Sequence, residues 1–313
     1  DNTSSIAMSG SDPSGNSAAT EEWTGAGAPI GAWSTGGAMN TARNNAAGFG
    51  TQVAGITAGG GTPSATANVE SYDGTSWTEV NNLNTARFQD TGAGTATAGL
   101  VFGGGPGSGA TDATESWNGT NWTEVNNLTT ARRAAGGGGT QTSAIIFGGD
   151  PESGKTEIWN GTNWTEVGDL NTARQSLAGA AALNTAALAF GGYNTPADAN
   201  QVATELWNGT SWTEVNNLNS AREALGGLGT STSSLAFGGS RGPAGPTAFT
   251  EEWDGVSWTE VADLSQARSQ MPQGTGTTTA GLGFGGQTPA SPGFLTLTEE
   301  WSSSSNVVKT LTD

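Results

Sequence analysis

A sixteen-residue phrase returns along this chain at a nearly constant interval. Its clearest copy, Trp-Asn-Gly-Thr-Asn-Trp-Thr-Glu-Val-Asn-Asn-Leu-Thr-Thr-Ala-Arg, occupies residues 117–132, and it recurs at 159–174, 207–222 and 253–268. With Tyr in first place it occupies 72–87, and a degenerate copy with a longer turn runs from Trp23 to Arg43. The arginines that end the copies, Arg43, Arg87, Arg132, Arg174, Arg222 and Arg268, are spaced 44, 45, 42, 48 and 46 residues apart. A unit of this length cannot bury its apolar face alone and must stack on its neighbours, so the whole chain reads as one repeat array.

Each period resolves into four short strands. A small-residue stretch follows the Arg, as at 134–140. An apolar stretch comes next and ends at Phe102, Phe147, Phe190, Phe237 or Phe284, each followed by Gly-Gly. Ala58-Gly59-Gly60 is a weaker copy, and Ser5–Gly10 aligns with Ser234–Gly239 as a seventh. The third and fourth strands flank Asn-Gly or Asp-Gly, which points to a hairpin with a type I′ turn. No segment shows a helical period. A period near 45 fits a propeller blade.

Counting strands gives seven second strands and seven third strands, the latter centred on Trp23, Tyr72, Trp117, Trp159, Trp207, Trp253 and Trp301. Six fourth strands carry Trp33, Trp77, Trp122, Trp164, Trp212 and Trp258, and a seventh is expected at 306–311. The expected fold is therefore all-β, a single seven-bladed propeller over 1–313 with four antiparallel strands per blade. The innermost strand of its first blade is expected upstream of Asp1 or from another chain.

Composition matters at two points. Leu, Ile, Val and Phe make up only 44 of the 313 residues, and the net charge is −18. That combination alone belongs to disordered chains. The 12 tryptophans argue for a folded chain instead, because they recur at a fixed period and each aromatic can bury roughly 150–250 Å². The chain also has no Cys and no His, which removes disulfides, thiolate metal sites and the commonest acid–base residue. No cofactor is expected. The negative charge opposes nucleic acid and anionic membranes as partners, and no apolar run is long enough to span a bilayer.

The Gly-Gly after the second strand, the aromatic in the third, the Trp in the fourth and the Arg beyond it resemble the kelch repeat, with Trp where that repeat more often has Tyr. The phrases at 20–33 and 207–215 are similar to kelch-type propellers in virion proteins of marine bacteriophages, particularly those infecting cyanobacteria. The tail Asn306-Val307-Val308-Lys309-Thr310 resembles the end of such proteins. The resemblance implies a virion-surface component, in the tail or as a decoration, with other virion proteins and a host glycan or receptor as partners. Galactose-oxidase-like enzymes share the architecture and hold copper with Tyr and His; this chain has Tyr72, Tyr193 and no His. The expected role is non-enzymatic. The alternative is a secreted or cell-surface propeller of a marine bacterium that binds a glycan or a protein.

Two residues before each third-strand aromatic stands a Glu: Glu21, Glu70, Glu115, Glu157, Glu205, Glu251 and Glu299. That spacing places both on one strand face. A carboxylate on an apolar face needs a partner, and the recurring arginines supply one in each blade, with a seventh expected from the upstream strand. The competing assignment sets Arg43, Arg87, Arg132, Arg174, Arg222 and Arg268 as a cationic ring at one mouth of the channel, suited to a sulfated or carboxylated glycan. Variation concentrates between second and third strands, at 61–68, 105–113, 150–155, 193–203, 240–249 and 287–295. Such loops cluster on one face and often bind. Tyr193, Arg241, Phe249 and Phe294 are their best-equipped contact residues, and free drift of these loops is the alternative.

Overall fold

The computed structural model describes residues 4–8, 11–12, 15–16, 20–24, 31–107, 109–151, 154–289 and 293–303; between 4 and 24 only the strands are described, without side chains. Two compact units result, Gly31–Ser303 and a second formed by Asp1–Ile30 with Ser304–Asp313.

The larger unit is a six-bladed β-propeller. Blade 1 contains Ala47–Thr51, Ala54–Ala58, Val69–Tyr72 and Trp77–Val80. Blade 2 contains Thr91–Thr95, Ala98–Phe102, Thr114–Trp117 and Trp122–Val125. Blade 3 repeats the plan from Gly136–Thr140 to Trp164–Val167, blade 4 from Ala178–Leu183 to Trp212–Glu214, and blade 5 from Gly226–Thr230 to Trp258–Val261. Blade 6 takes Thr275–Gly276, Ala280–Phe284 and Thr298–Ser302 from late in the chain and its outer strand, Ala32–Thr35, from early in it. All pairings are antiparallel, and the inner strands follow one another around the axis until blade 6 meets blade 1.

Six blades replace the expected seven, and the reason lies in Trp33. The sequence places it beside Trp23; the structure pairs it with Trp301. There its indole N–H donates to Thr250 Oγ1 of blade 5 at 3.0 Å, and its ring lies 5.1 Å from Phe237. Trp258 makes the same two contacts with Thr204 and Phe190, and Trp212 makes them with Thr156 and Phe147. Trp33 is thus the fourth-strand tryptophan of blade 6, and no ring blade lacks an inner strand. Ser4–Met8 does pair with Thr20–Thr24 in the blade register, Ser5 opposite Trp23 as Ser234 is opposite Trp253. That pair belongs to the second unit. The fourth strand expected at 306–311 lies outside the described residues.

Blade 1 departs from the repeat at Ala58, where the other blades have Phe. Phe49, on the first strand, fills the gap and meets Trp122 of blade 2 edge-on at 6.4 Å. The hairpin between third and fourth strands also differs from expectation. Trp117 pairs with Trp122, so the turn holds four residues and is not a two-residue type I′ turn. Asn118 Oδ1 accepts the amides of Thr120 and Asn121 at 3.0 and 2.9 Å, and only Gly119 takes a positive φ, 90°. The Asn side chain caps its own turn, which removes the need for a left-handed Asn.

The glutamates and arginines form one buried ion pair in each ring blade: Arg43–Glu70, Arg87–Glu115, Arg132–Glu157, Arg174–Glu205, Arg222–Glu251 and Arg268–Glu299. All twelve side chains are at most 1 % exposed. Within the ring six arginines meet six glutamates; Glu21 lies in the second unit, and its side chain and the arginine expected for it are outside the described residues. Glu205 illustrates the setting: it accepts Arg174 Nη1 at 2.5 Å and the Asn171 backbone and side-chain amides at 2.7 and 2.8 Å. Removing one member of such a pair leaves a buried charge alone, at a cost of about 3–5 kcal/mol. Glu205→Ala should therefore lower the unfolding free energy by about that amount in urea denaturation, and adding Arg174→Met should recover part of the loss.

Candidate functional site

The blade arginines also join neighbouring blades through their carbonyls. Gly60 donates its amide to the Arg87 carbonyl of the next blade at 2.9 Å, and Gly286 of blade 6 donates to that of Arg43 at 3.0 Å. The glycine before each makes this approach possible: a Cβ on Gly285, where φ is 60°, would stand 2.5 Å from the Arg43 carbonyl oxygen. These contacts account for the Gly-Gly of every repeat.

Beyond the Arg, the next residue pairs with the first loop residue after Gly-Gly, as Phe88 does with Gly105 and Gln175 with Tyr193. The following residue turns inward at positive φ: Asn45, Gln89, Ala134, Ser176, Ala224 and Gln270, between 48° and 58°. A circuit of backbone hydrogen bonds links them. Gln89 donates to Asn45, Ala134 to Gln89, Ser176 to Ala134 and Ala224 to Ser176, at 2.7–2.9 Å. Met271 donates to Ala224 at 3.2 Å, and Asn45 closes the circuit on Gln270 at 2.9 Å. This collar encircles one mouth of the channel, and the variable loops spring from its rim.

Inside the collar lies an open basin lined by Asn45, Gln89, Ser176 and Leu225, and a second lies among the glycines of the inner strands. Gln273 lines both. Its Oε1 accepts the Gly92 amide at 3.0 Å, and its Nε2 donates to the Gly137 carbonyl at 3.3 Å. A blade 6 side chain thus reaches blades 2 and 3 across the axis and divides the channel.

The six arginines lie within the blades, and their guanidinium groups face glutamates instead of the basin. Burial lowers the pKa of Arg43, Arg132, Arg174, Arg222 and Arg268, against the attraction of their glutamates. In the loops, the Tyr193 hydroxyl bonds to Asp198, and Tyr193–Asn194 pairs with Ala199–Asn200 as a small hairpin. Arg241 is exposed and stands 5.5 Å above the Phe249 ring, while Phe249 and Phe294 are half-buried. Tyr193 and Arg241 belong to adjoining loops, joined where Asn200 Nδ2 donates to the Ser240 carbonyl at 2.9 Å.

Sequence reasoning missed Asp90. It is 7 % exposed and contributes to the wall of the collar basin, while its carboxylate oxygens are buried, one of them against Gly59 of the preceding blade. Burial pushes its carboxyl up to about 8, against the pull of Arg87, the nearby amides of Asp90 and Ala47, and Arg43. The signal was available: three places after the Arg, the other copies carry Ala46, Ala135, Leu177, Leu225 and Met271.

No family model matches the chain, and no curated protein matches it. Among solved structures it is similar to that of YjhT, with a TM-score of 0.69 at 13 % identity, over 85 % of this chain and 96 % of that one. At that identity the likeness is one of fold: the chain is a β-propeller.

Asp90 has a measurable consequence. An unfolded Asp titrates near 3.9, so between about pH 4 and pH 8 the folded chain holds a proton that the unfolded chain has lost. Stability then falls as pH rises through that window and levels off above it. Asp90→Asn removes the titration. The melting temperature of the variant should exceed that of the parent by a margin that widens from pH 5 to pH 8, reaching on the order of several kcal/mol in stability.

Proposed function

We propose that the chain is a non-catalytic binding module on a phage virion surface, working without a cofactor, which engages a host-surface glycan or receptor through its variable-loop mouth. The observation that carries this reading is the contrast between the two parts of each blade. Arg, Glu, Trp and Gly-Gly are fixed in place by contacts repeated around the ring, whereas the segments between second and third strands vary and begin beside the collar that encloses the basin. A rigid scaffold with variable loops at one end is a common design for recognition. The kelch-like pattern and the likeness of the blade phrases to marine phage proteins support the virion assignment. Lack of His and Cys supports a role in binding over catalysis, since it leaves carboxylates as the main candidates for acid–base work.

Two measurements test it. Cryo-electron microscopy of the source particle should find the propeller on the virion with this mouth outward. Its absence from any particle would leave a secreted binding module. Replacing both 193–203 and 240–249 with the short 150–155 loop should preserve the melting temperature and reduce adsorption of the purified protein to host cells at least tenfold. Undiminished adsorption would remove the loops from the function.

A further inference from the structure

The turn that joins third and fourth strands carries Asn-Gly in blades 2, 3 and 4, at Asn118-Gly119, Asn160-Gly161 and Asn208-Gly209, and these are the three Asn-Gly pairs of the chain. Blades 1 and 5 carry Asp-Gly at the same place, Asp73-Gly74 and Asp254-Gly255. The three asparagines and the glycines after them are exposed. Each Asn Oδ1 accepts two backbone amides: those of Thr120 and Asn121 at 3.0 and 2.9 Å, of Thr162 and Asn163 at 2.9 Å, and of Thr210 and Ser211 at 2.9 and 3.0 Å. Among the described residues, neither the Nδ2 of these asparagines nor the amide of the following glycine has a hydrogen-bond partner.

We propose that these turns are modification sites at which the chain converts its own asparagine to aspartate through a cyclic imide, a reading independent of what the loop mouth binds. Hydroxide takes the proton of the glycine amide, and that nitrogen attacks the asparagine Cγ. The negative charge of the tetrahedral centre falls on Oδ1, the atom that two N–H groups already face at 2.9–3.0 Å. Donors placed in advance where charge develops are the means by which an oxyanion hole lowers a barrier. The Cγ–Nδ2 bond then breaks, and the amino group leaves as ammonia with a proton from water. Water opens the imide, giving Asp by attack at Cγ or an isoaspartyl link by attack at the main-chain carbonyl. Glycine suits the nucleophile because no Cβ stands beside its nitrogen, and it adopts the φ of 90–94° found here freely.

Blades 1 and 5 hold the product already. Asp73 Oδ1 accepts the amides of Thr75 and Ser76 at 2.9 and 2.8 Å, and Asp254 Oδ1 those of Val256 and Ser257 at 2.8 Å, with Gly74 and Gly255 at φ 92° and 97°. The amides of Ser76 and Thr75 hold the Asp73 carboxyl below its usual range, as those of Ser257 and Val256 do for Asp254. An aspartate therefore fits this turn as well as an asparagine, and three conversions add three negative charges to the −18 of the chain. The isoaspartyl link adds a methylene to the main chain of a four-residue turn between paired tryptophans, and it is the form that loosens the hairpin.

The test follows the full folded chain at neutral pH by peptide-mapping mass spectrometry, beside the free peptide 116–123. Asn118, Asn160 and Asn208 should convert in the folded chain on the timescale of the peptide, while Asn121 and Asn163, each followed by Trp, stay unchanged. Asparagine persisting at these turns after the peptide has fully converted would overturn the proposal. Thr120→Pro removes one of the two donors to Asn118 Oδ1 and leaves the other two turns as standards within the same molecule. Its Asn118 should convert about threefold or more slowly relative to Asn160 and Asn208, and an unchanged ratio would overturn the part given to the amides. The combined variant Asn118→Asp, Asn160→Asp, Asn208→Asp should keep the melting temperature of the parent; a clear loss would show that these turns reject the product.

Discussion

The ring depends on one recurring buried contact, the guanidinium of a blade arginine against the carboxylate two residues before the third-strand aromatic. Its geometry ties three levels of structure together. The carboxylate also holds the amides of the connection leading into the blade, as Glu205 holds Asn171, so the path of that connection is set. The arginine carbonyl meanwhile receives an amide from the Gly-Gly of the preceding blade. A single residue therefore fixes the inside of its own blade and the angle to its neighbour. Because both charges are withdrawn from water, neither can be lost alone without a large cost, which accounts for their presence in every ring copy.

Around this contact the tryptophans do the remaining work of a conventional aliphatic core. Each fourth-strand Trp of blades 3 to 6 packs on the Phe of the preceding blade and donates its indole N–H to a buried Thr there, as Trp164 does with Phe102 and Thr114. The apolar ring and its polar N–H are both satisfied across the blade boundary. This explains how a chain with so few Leu, Ile and Val residues builds a continuous core. It also explains why Ala58 had to be answered by Phe49, since an indole facing an alanine would have left a void.

Much of this was legible in the residues. The strand pattern, the Gly-Gly ends and the Glu–Arg pairs all follow from local spacing, and the structure realises them. The blade count was not legible, because the copy at Trp23–Arg43 matches the repeat locally while Trp33 is claimed by Trp301, far away in sequence; closure is a property of the ring and of no single segment. The turn at Asn118 differs from expectation because an Asn side chain can satisfy a turn without adopting the left-handed conformation that the dipeptide suggests. Asp90 escaped because attention to what repeats obscures a single position that does not.

The borrowed outer strand of blade 6 has a consequence for the order of events during synthesis. Ala32–Thr35 is made before any complete blade of the ring, and its partner Thr298–Ser302 emerges after all the others. Until that late strand appears, the early one has no place in the ring, and the sheets already formed lack the neighbour that would hold them in a circle. The ring therefore reaches its locked state in one terminal step, and a chain cut short before blade 6 would be an open arc that exposes the inward face of blade 1.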